Sequence, residues 1–206
     1  TYVGRPERNW ARLGAITELG NGLGAAKHHE DALPVREAEL SMARRQGAPE
    51  EIMLNVQSNL AGTYQALGRK EQALHTRRDV YSGTLKIKGG EHEKTLLFAS
   101  NYVKSLIDLR RFEEAKSLLH KTIPVARRVL GEDHLQTLEL RWGYGAALRT
   151  ACATLNELRE SVNTLEDIAR TALRLLGGVH PVTTGIERDL RHSRDALAAR
   201  EGTKIK

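Results

Sequence analysis

The 206 residues carry 32 Lys and Arg against 26 Asp and Glu, a net charge of +6, with 40% hydrophobic, 28% charged and only 4% aromatic residues. Those proportions suit a water-soluble protein with enough apolar side chains for a core; no apolar run approaches the roughly 18 residues of a membrane span, and no basic–apolar–small leader opens the chain. The single cysteine, Cys152, excludes an internal disulfide framework, and a lone thiol points to a reducing, cytoplasmic setting.

Self-similarity sets the architecture. Ser58-Asn59-Leu60-Ala61 recurs 42 residues later as Ser100-Asn101-Tyr102-Val103, Ala73 as Ala115, and Gly89 and His92 as Gly131 and His134. Gly47 stands 42 before Gly89, and Gly177 stands 46 after Gly131. A fixed period in this range marks a stacked array of like supersecondary units, each touching only its neighbours. The units read Gly4–Gln46, Gly47–Lys88, Gly89–Leu130 and Gly131–Leu176, with a tail from Gly177. Residues 1–206 are thus expected to form one solenoid.

In chain order, Gly4-Arg5-Pro6-Glu7 echoes Gly47-Ala48-Pro49-Glu50. Thr1–Val3 would then be the stub of a preceding helix, and a chain opening on Thr1 reads as an excerpt of a longer array. Gly20-Asn21-Gly22-Leu23-Gly24 resembles a phosphate loop only superficially: no strand precedes it and no Lys-Ser/Thr follows, so close helix packing is the expectation. In the second unit Val56, Leu60, Thr63, Tyr64 and Leu67 keep the spacing of one helix face. After a break at Gly68-Arg69, Lys70 to Lys88 forms a second helix around Ala73, Val80, Tyr81 and Leu85. The third unit repeats this with Phe98, Tyr102, Leu106 and Leu109, then Phe112, Ala115, Leu118, Leu119, Ile123, Ala126 and Val129.

Gly131 is expected to end a helix in the left-handed conformation, and Asp133 with Gln136 to cap the next one. Thr154 with Glu157 is a second capping-box pattern. Pro49 and Pro181 suit a first helical turn, where the missing amide proton is tolerated. The four extra residues of the fourth unit fall around Cys152–Leu155, close to one added turn. From His180-Pro181 a further helix runs to about Arg200; Arg191 stands where Ala61 stood, so this helix reads as a polar cap. Nothing alternates with period two. The fold class is all-α.

These residues resemble tetratricopeptide repeats (TPR) of the roughly 42-residue kind found in kinesin light chains. The carriers are Asn59-Leu60-Ala61 with Tyr64, Leu67-Gly68-Arg69 and Gln72-Ala73-Leu74. In the third unit they are Asn101-Tyr102, Arg111-Phe112-Glu113-Glu114-Ala115, Leu130-Gly131-Glu132-Asp133-His134 and Thr137-Leu138. The first unit fits less closely, as if one residue were missing after Pro34. The resemblance implies a right-handed superhelix of helix pairs whose first helices line a concave, peptide-binding groove. It also implies that asparagine at the place of Asn59 and Asn101 hydrogen-bonds a peptide backbone, for which an amide has both donors and an acceptor.

Carried onto this chain, the groove stripe is Asn55, Ser58, Asn59, Gly62 and Gln65, then Leu97, Ser100, Asn101, Lys104 and Asp108. Glu139, Trp142, Gly143, Ala146 and Arg149 continue it, and Thr17, Glu18, Asn21 and Gly24 precede it. Expected peptide contacts are Asn21, Asn55, Ser58, Asn59, Gln65, Ser100, Asn101, Lys104, Trp142 and Arg149. Lys104 is the one central cation, which argues against a multi-lysine carboxylate clamp but for some acidic character in the ligand. Gly143 replaces the asparagine, so an amide ladder would weaken there. Asn59 and Asn101 could equally serve helix-to-helix bonding, and Trp142 either anchors a partner or packs on its neighbour.

His92, His134 and His180 recur in phase, each before a different first helix, so they lie along the stack instead of converging on a metal; His28-His29 also reads as a turn. No metal, cofactor or catalytic constellation is expected, and Cys152 has no motif that makes it a nucleophile. The second helices carry Arg36, Arg44-Arg45, Arg77-Arg78, Lys86, Lys88, Lys116, Lys121 and Arg127-Arg128, interleaved with Glu37, Glu39, Glu113 and Glu114. A solvated outer face accounts for these; the interleaved aromatics of a single-strand binder are missing. The leading functional expectation is a non-enzymatic adaptor scaffold for a protein or peptide. The alternatives are a structural or regulatory subunit of a larger assembly and, third, a nucleic-acid-binding solenoid.

Overall fold

The structure, a computed structural model, describes residues 10–150 and 152–202. The echo at Gly4–Glu7 and the Thr1–Val3 stub lie outside the described residues. Those described form nine α-helices and no strand, and the chain divides into two compact units, Thr1–Ile87 and Lys88–Lys206.

The first unit holds α1 (Trp10–Ala25), α2 (His29–Arg45), α3 (Glu50–Ala66) and α4 (Lys70–Lys88). Packing runs α1 on α2 and α2 on α3, with Leu54 of α3 against Gly83 of α4, where a Cβ would meet Leu54 Cδ2 at 2.8 Å. The glycine-rich run is helical, inside α1. Gly20 is buried there because the Arg36 guanidinium fills the space a Cβ would take, at 2.7 Å. Arg36 and Arg77 therefore do not belong to a solvated outer face. Arg36 is 5% exposed, pairs with the fully buried Glu39 at 2.8 Å and donates to Asn21. Arg77 is buried as well and donates to Gln65 at 3.4 Å. The Arg36 charge is tolerated because its two terminal nitrogens bond Glu39, Asn21 and the Thr17 carbonyl, with Nε buried and unpaired.

The second unit holds α5 (Glu93–Asp108), α6 (Phe112–Leu130), α7 (Leu135–Leu148), α8 (Leu155–Leu176) and α9 (Pro181–Gly202). Its helices form two layers: α5, α7 and α9 side by side, with α6 packed on α5 and α7, and α8 on α7 and α9. The core follows the heptad-like spacing of α8: Leu158 is buried, and Val162, Leu165, Ile168 and Ala172 cluster with Leu138, Ile186 and Leu190. Each fully buried leucine is worth about 1.5–3 kcal/mol of transfer free energy. Ala73 and Ala115 are both 0% exposed. Leu85 and Val129 depart from the expected faces: they are 39% and 41% exposed, because they fall in the last turns of α4 and α6, beyond the packed stretch.

Histidines cap the first helices. His92 Nδ1 accepts from the Lys94 amide at 3.1 Å, His134 Nδ1 from Gln136 at 3.3 Å and His180 Nδ1 from Val182 at 3.2 Å. The expected Asp133 cap is thus corrected: the cap is one residue later, and Asp133 pairs with Arg174 at 2.8 Å. Three residues beyond each histidine stands a buried threonine, Thr95, Thr137 or Thr183; Thr95 Oγ1 donates to Gly89 O at 2.7 Å, tying the turn to the helix. Gly131 takes φ +92 and Gly177 φ +80, a region glycine enters without Cβ strain. The Thr154–Glu157 capping box is complete in both directions. The extra residues of the fourth unit are shared between a longer α7–α8 loop and an α8 of 22 residues against 19 for α6. Arg191 is exposed.

Candidate functional site

Within the second unit, α5, α7 and α9 enclose an open groove of about 340 Å³. Ser100, Asn101, Lys104 and Trp142 meet there, as do Asp108, Glu139, Gly143 and Ala146 of the same stripes. Arg149 lies beside it through a 3.5 Å bond to Asp189. The other expected contacts, Asn21, Asn55, Ser58, Asn59 and Gln65, lie on α1 and α3 of the first unit. Of these, Asn21 and Gln65 use their carbonyl oxygens within their own helix pairs, on Arg36 and Arg77.

Two glycines shape the groove. A Cβ at Gly143 would stand 2.9 Å from Val103 Cγ1, so its place in the stripe is taken by the approach of α5 to α7. A Cβ at Gly185 would stand 2.4 Å from Trp142 Cη2. The indole therefore lies over Gly185, and its Nε1 donates to Asp189 Oδ2 at 2.7 Å. Of the two readings of Trp142, packing on the neighbouring helix is the one seen, with the half-buried ring also lining the groove.

Arg188 and Asp189 also line the groove and were missed by the stripe. They stand 46 residues after Trp142 and Gly143, so extending the period one helix further finds them. Asp189 is nearly saturated: besides Trp142 and Arg149 it faces Arg188 and His192, each at 3.9 Å. Glu139 differs. Burial holds its carboxyl above the usual carboxylate range, partly offset by the Lys104 charge and a hydrogen bond with Ser100.

A second cavity of about 310 Å³ lies between α6, α7 and α8, walled by His120, Tyr144, Arg127 and Arg141. Its charges are engaged internally: Arg141 bonds Glu132 and Asp167, and Tyr144 donates to Glu160 at 2.9 Å. Burial and then that bond push the phenol up to about 12. Among the described residues no group of three or more His, Cys, Asp and Glu side chains is placed to hold a metal ion. None of the described helices is long and apolar enough to cross a membrane.

A family model for the tetratricopeptide repeat matches residues 95–136, from the Thr95 staple to the start of α7. The fold is that of TPR proteins of the kinesin-light-chain kind. A chain from Podosopora anserina described as kinesin light chain nearly identical TPR-like repeats is 19% identical, with 98% of this chain and 93% of that one covered at TM-score 0.71. A variant of it gives 20% identity, 94% and 90% coverage and TM-score 0.72. BtubC (BKLC) from P. vanneervenii is 17% identical, with 94% and 84% covered at TM-score 0.62. No curated protein matches the chain in sequence.

Proposed function

We propose that this TPR chain is an adaptor-type interaction scaffold, whose α5–α7–α9 groove binds a short extended peptide or a helix of a partner protein in the cytoplasm. One observation carries the reading: a groove on which Ser100, Asn101, Lys104 and Trp142 converge over a floor of Val103, Ile107, Gly143 and Ala146. Small or apolar side chains with a few directed polar groups form a surface of the kind that holds a peptide. The Asn101 amide is suited to pair with a backbone of any sequence. Asn55, Ser58 and Asn59 on α3 would offer the first unit's counterpart, with Asn21, Gln65 and Arg149 as supports of their helix pairs. The acidic ligand expected from Lys104 loses force beside Glu139, since that ammonium already faces a carboxylate.

The test compares partner capture by the wild type, by Asn101→Ala with Ala146→Trp, which fills the groove, and by charge reversal at Arg127 and Arg128 on the outer layer. Loss of the same captured protein with the groove variant alone supports the reading. Loss with the outer variant alone moves function to the outer layer, where a structural-subunit role fits better. Nucleic acid retained with a steep salt dependence would favour the third alternative.

A further inference from the structure

We propose that Glu139 makes the α5–α7–α9 groove select a peptide carrying a lysine or arginine beside an apolar residue. The inference rests on the groove being the peptide site. Three carboxylates line it, Asp108, Glu139 and Asp189, against two cations, Lys104 and Arg188. Asp189 is taken up by the indole N–H of Trp142 and by Arg149, with Arg188 and His192 beyond. Asp108 stands at the C-terminal end of α5, whereas Glu139 is a half-buried acid within α7, served by the Ser100 hydroxyl and the exposed Lys104 ammonium.

Position along the array sharpens the point. The residues in phase with Glu139 are Asn55, Leu97 and Gly185, so the acid is peculiar to α7 and is not part of the repeat's own construction. The desolvation of Glu139 outweighs what Ser100 and Lys104 return, and a ligand cation that hydrogen-bonds to the carboxylate relieves that cost. The raised carboxyl pKa is the mark of such a cost. One turn on, Val103, Ile107, Ala146 and Trp142 give the same groove an apolar stretch of lining. A peptide anchored there by an apolar side chain brings the adjoining residue to Glu139.

The probe is a randomised short-peptide display library selected at low ionic strength on the full chain, on Glu139→Gln, and on Ala146→Trp. Wild type should enrich Lys or Arg beside an apolar position. The selected peptides should bind Glu139→Gln roughly tenfold more weakly, a typical worth for a charge-assisted hydrogen bond. Their affinity for wild type should fall as the pH is lowered through the raised range in which Glu139 gains its proton, above that of ordinary carboxylates, while Glu139→Gln stays flat. Groove peptides that are acidic or neutral, or a basic bias that survives Glu139→Gln with its pH dependence intact, would overturn the inference and leave the groove reading standing. Enrichment by Ala146→Trp of the same peptides would instead sink the groove reading, and this inference with it.

Discussion

Replacing Gly185 with alanine tests the construction of the groove. The added Cβ would stand 2.4 Å from Trp142 Cη2 and 2.6 Å from Cζ2, whereas carbons rest at about 3.5–4.0 Å. The indole must therefore move by about 1 Å. It cannot do so while Nε1 holds Asp189 at 2.7 Å. Overpacking costs about 1–3 kcal/mol, and the loss of a hydrogen bond to a charged group adds about 1.5–3 kcal/mol. Better helix propensity returns only about 1 kcal/mol. The net loss of about 1.5–5 kcal/mol corresponds to a melting temperature lower by roughly 5–25 °C for a unit of this size. The chain has two tryptophans, so a Trp10→Phe background isolates Trp142. Thermal melts by circular dichroism, with a red shift of the remaining emission, are the readouts. A melting temperature at or above the parent's, with unchanged emission, would refute the packing of Trp142 on α9.

Ala115→Leu should cost about 1–3 kcal/mol by overpacking the α5–α6–α7 contact, whereas Leu at the exposed Ala198 should be neutral in the same melts. His134→Ala should lose about 0.5–2 kcal/mol in urea unfolding, while His134→Asp, which also caps, should lose far less; equal losses would mean that the imidazole does not cap α7. Glu139→Gln should stabilise the protein at neutral pH. A carboxyl whose pKa is raised by folding carries a penalty that is complete above its folded value and vanishes below its unfolded value. The advantage of Glu139→Gln should accordingly disappear in melts at the acid end of the carboxylate range. Asp167 has the opposite sign: the hydrogen bond from Arg141 lowers its pKa. Its contribution is present at neutral pH and is lost as the pH falls through the lowered value, so Asp167→Asn should flatten the acid arm of the stability curve.

Much of the fold was legible because the repeat writes its constraints several times over. The alanines at 73 and 115, the glycines at 131 and 177 and the capping box at Thr154 each follow from local chemistry that permits few alternatives. The errors fall where a residue's partner is distant in sequence. Arg36 and Arg77 look like surface charge until Asn21, Glu39 and Gln65 are known to face them. Asp133 looks like a cap because Arg174, 41 residues away, cannot be seen from its neighbours. Of the groove, the stripe of Ser100, Asn101, Lys104 and Trp142, which line it together, came from the family resemblance carried along the repeat phase. Its closure by α9 was not readable, since Gly185 and Asp189 matter only through the indole they hold.

Photocross-linking most directly tests whether the groove holds the ligand. A photoreactive amino acid at position 107, in the groove lining of α5, should cross-link the captured partner, and the crosslink should vanish with Ala146→Trp. The same group at position 121, exposed on α6, should give none. Cross-linking from 121 but not from 107 would contradict the account and place recognition on the outer layer.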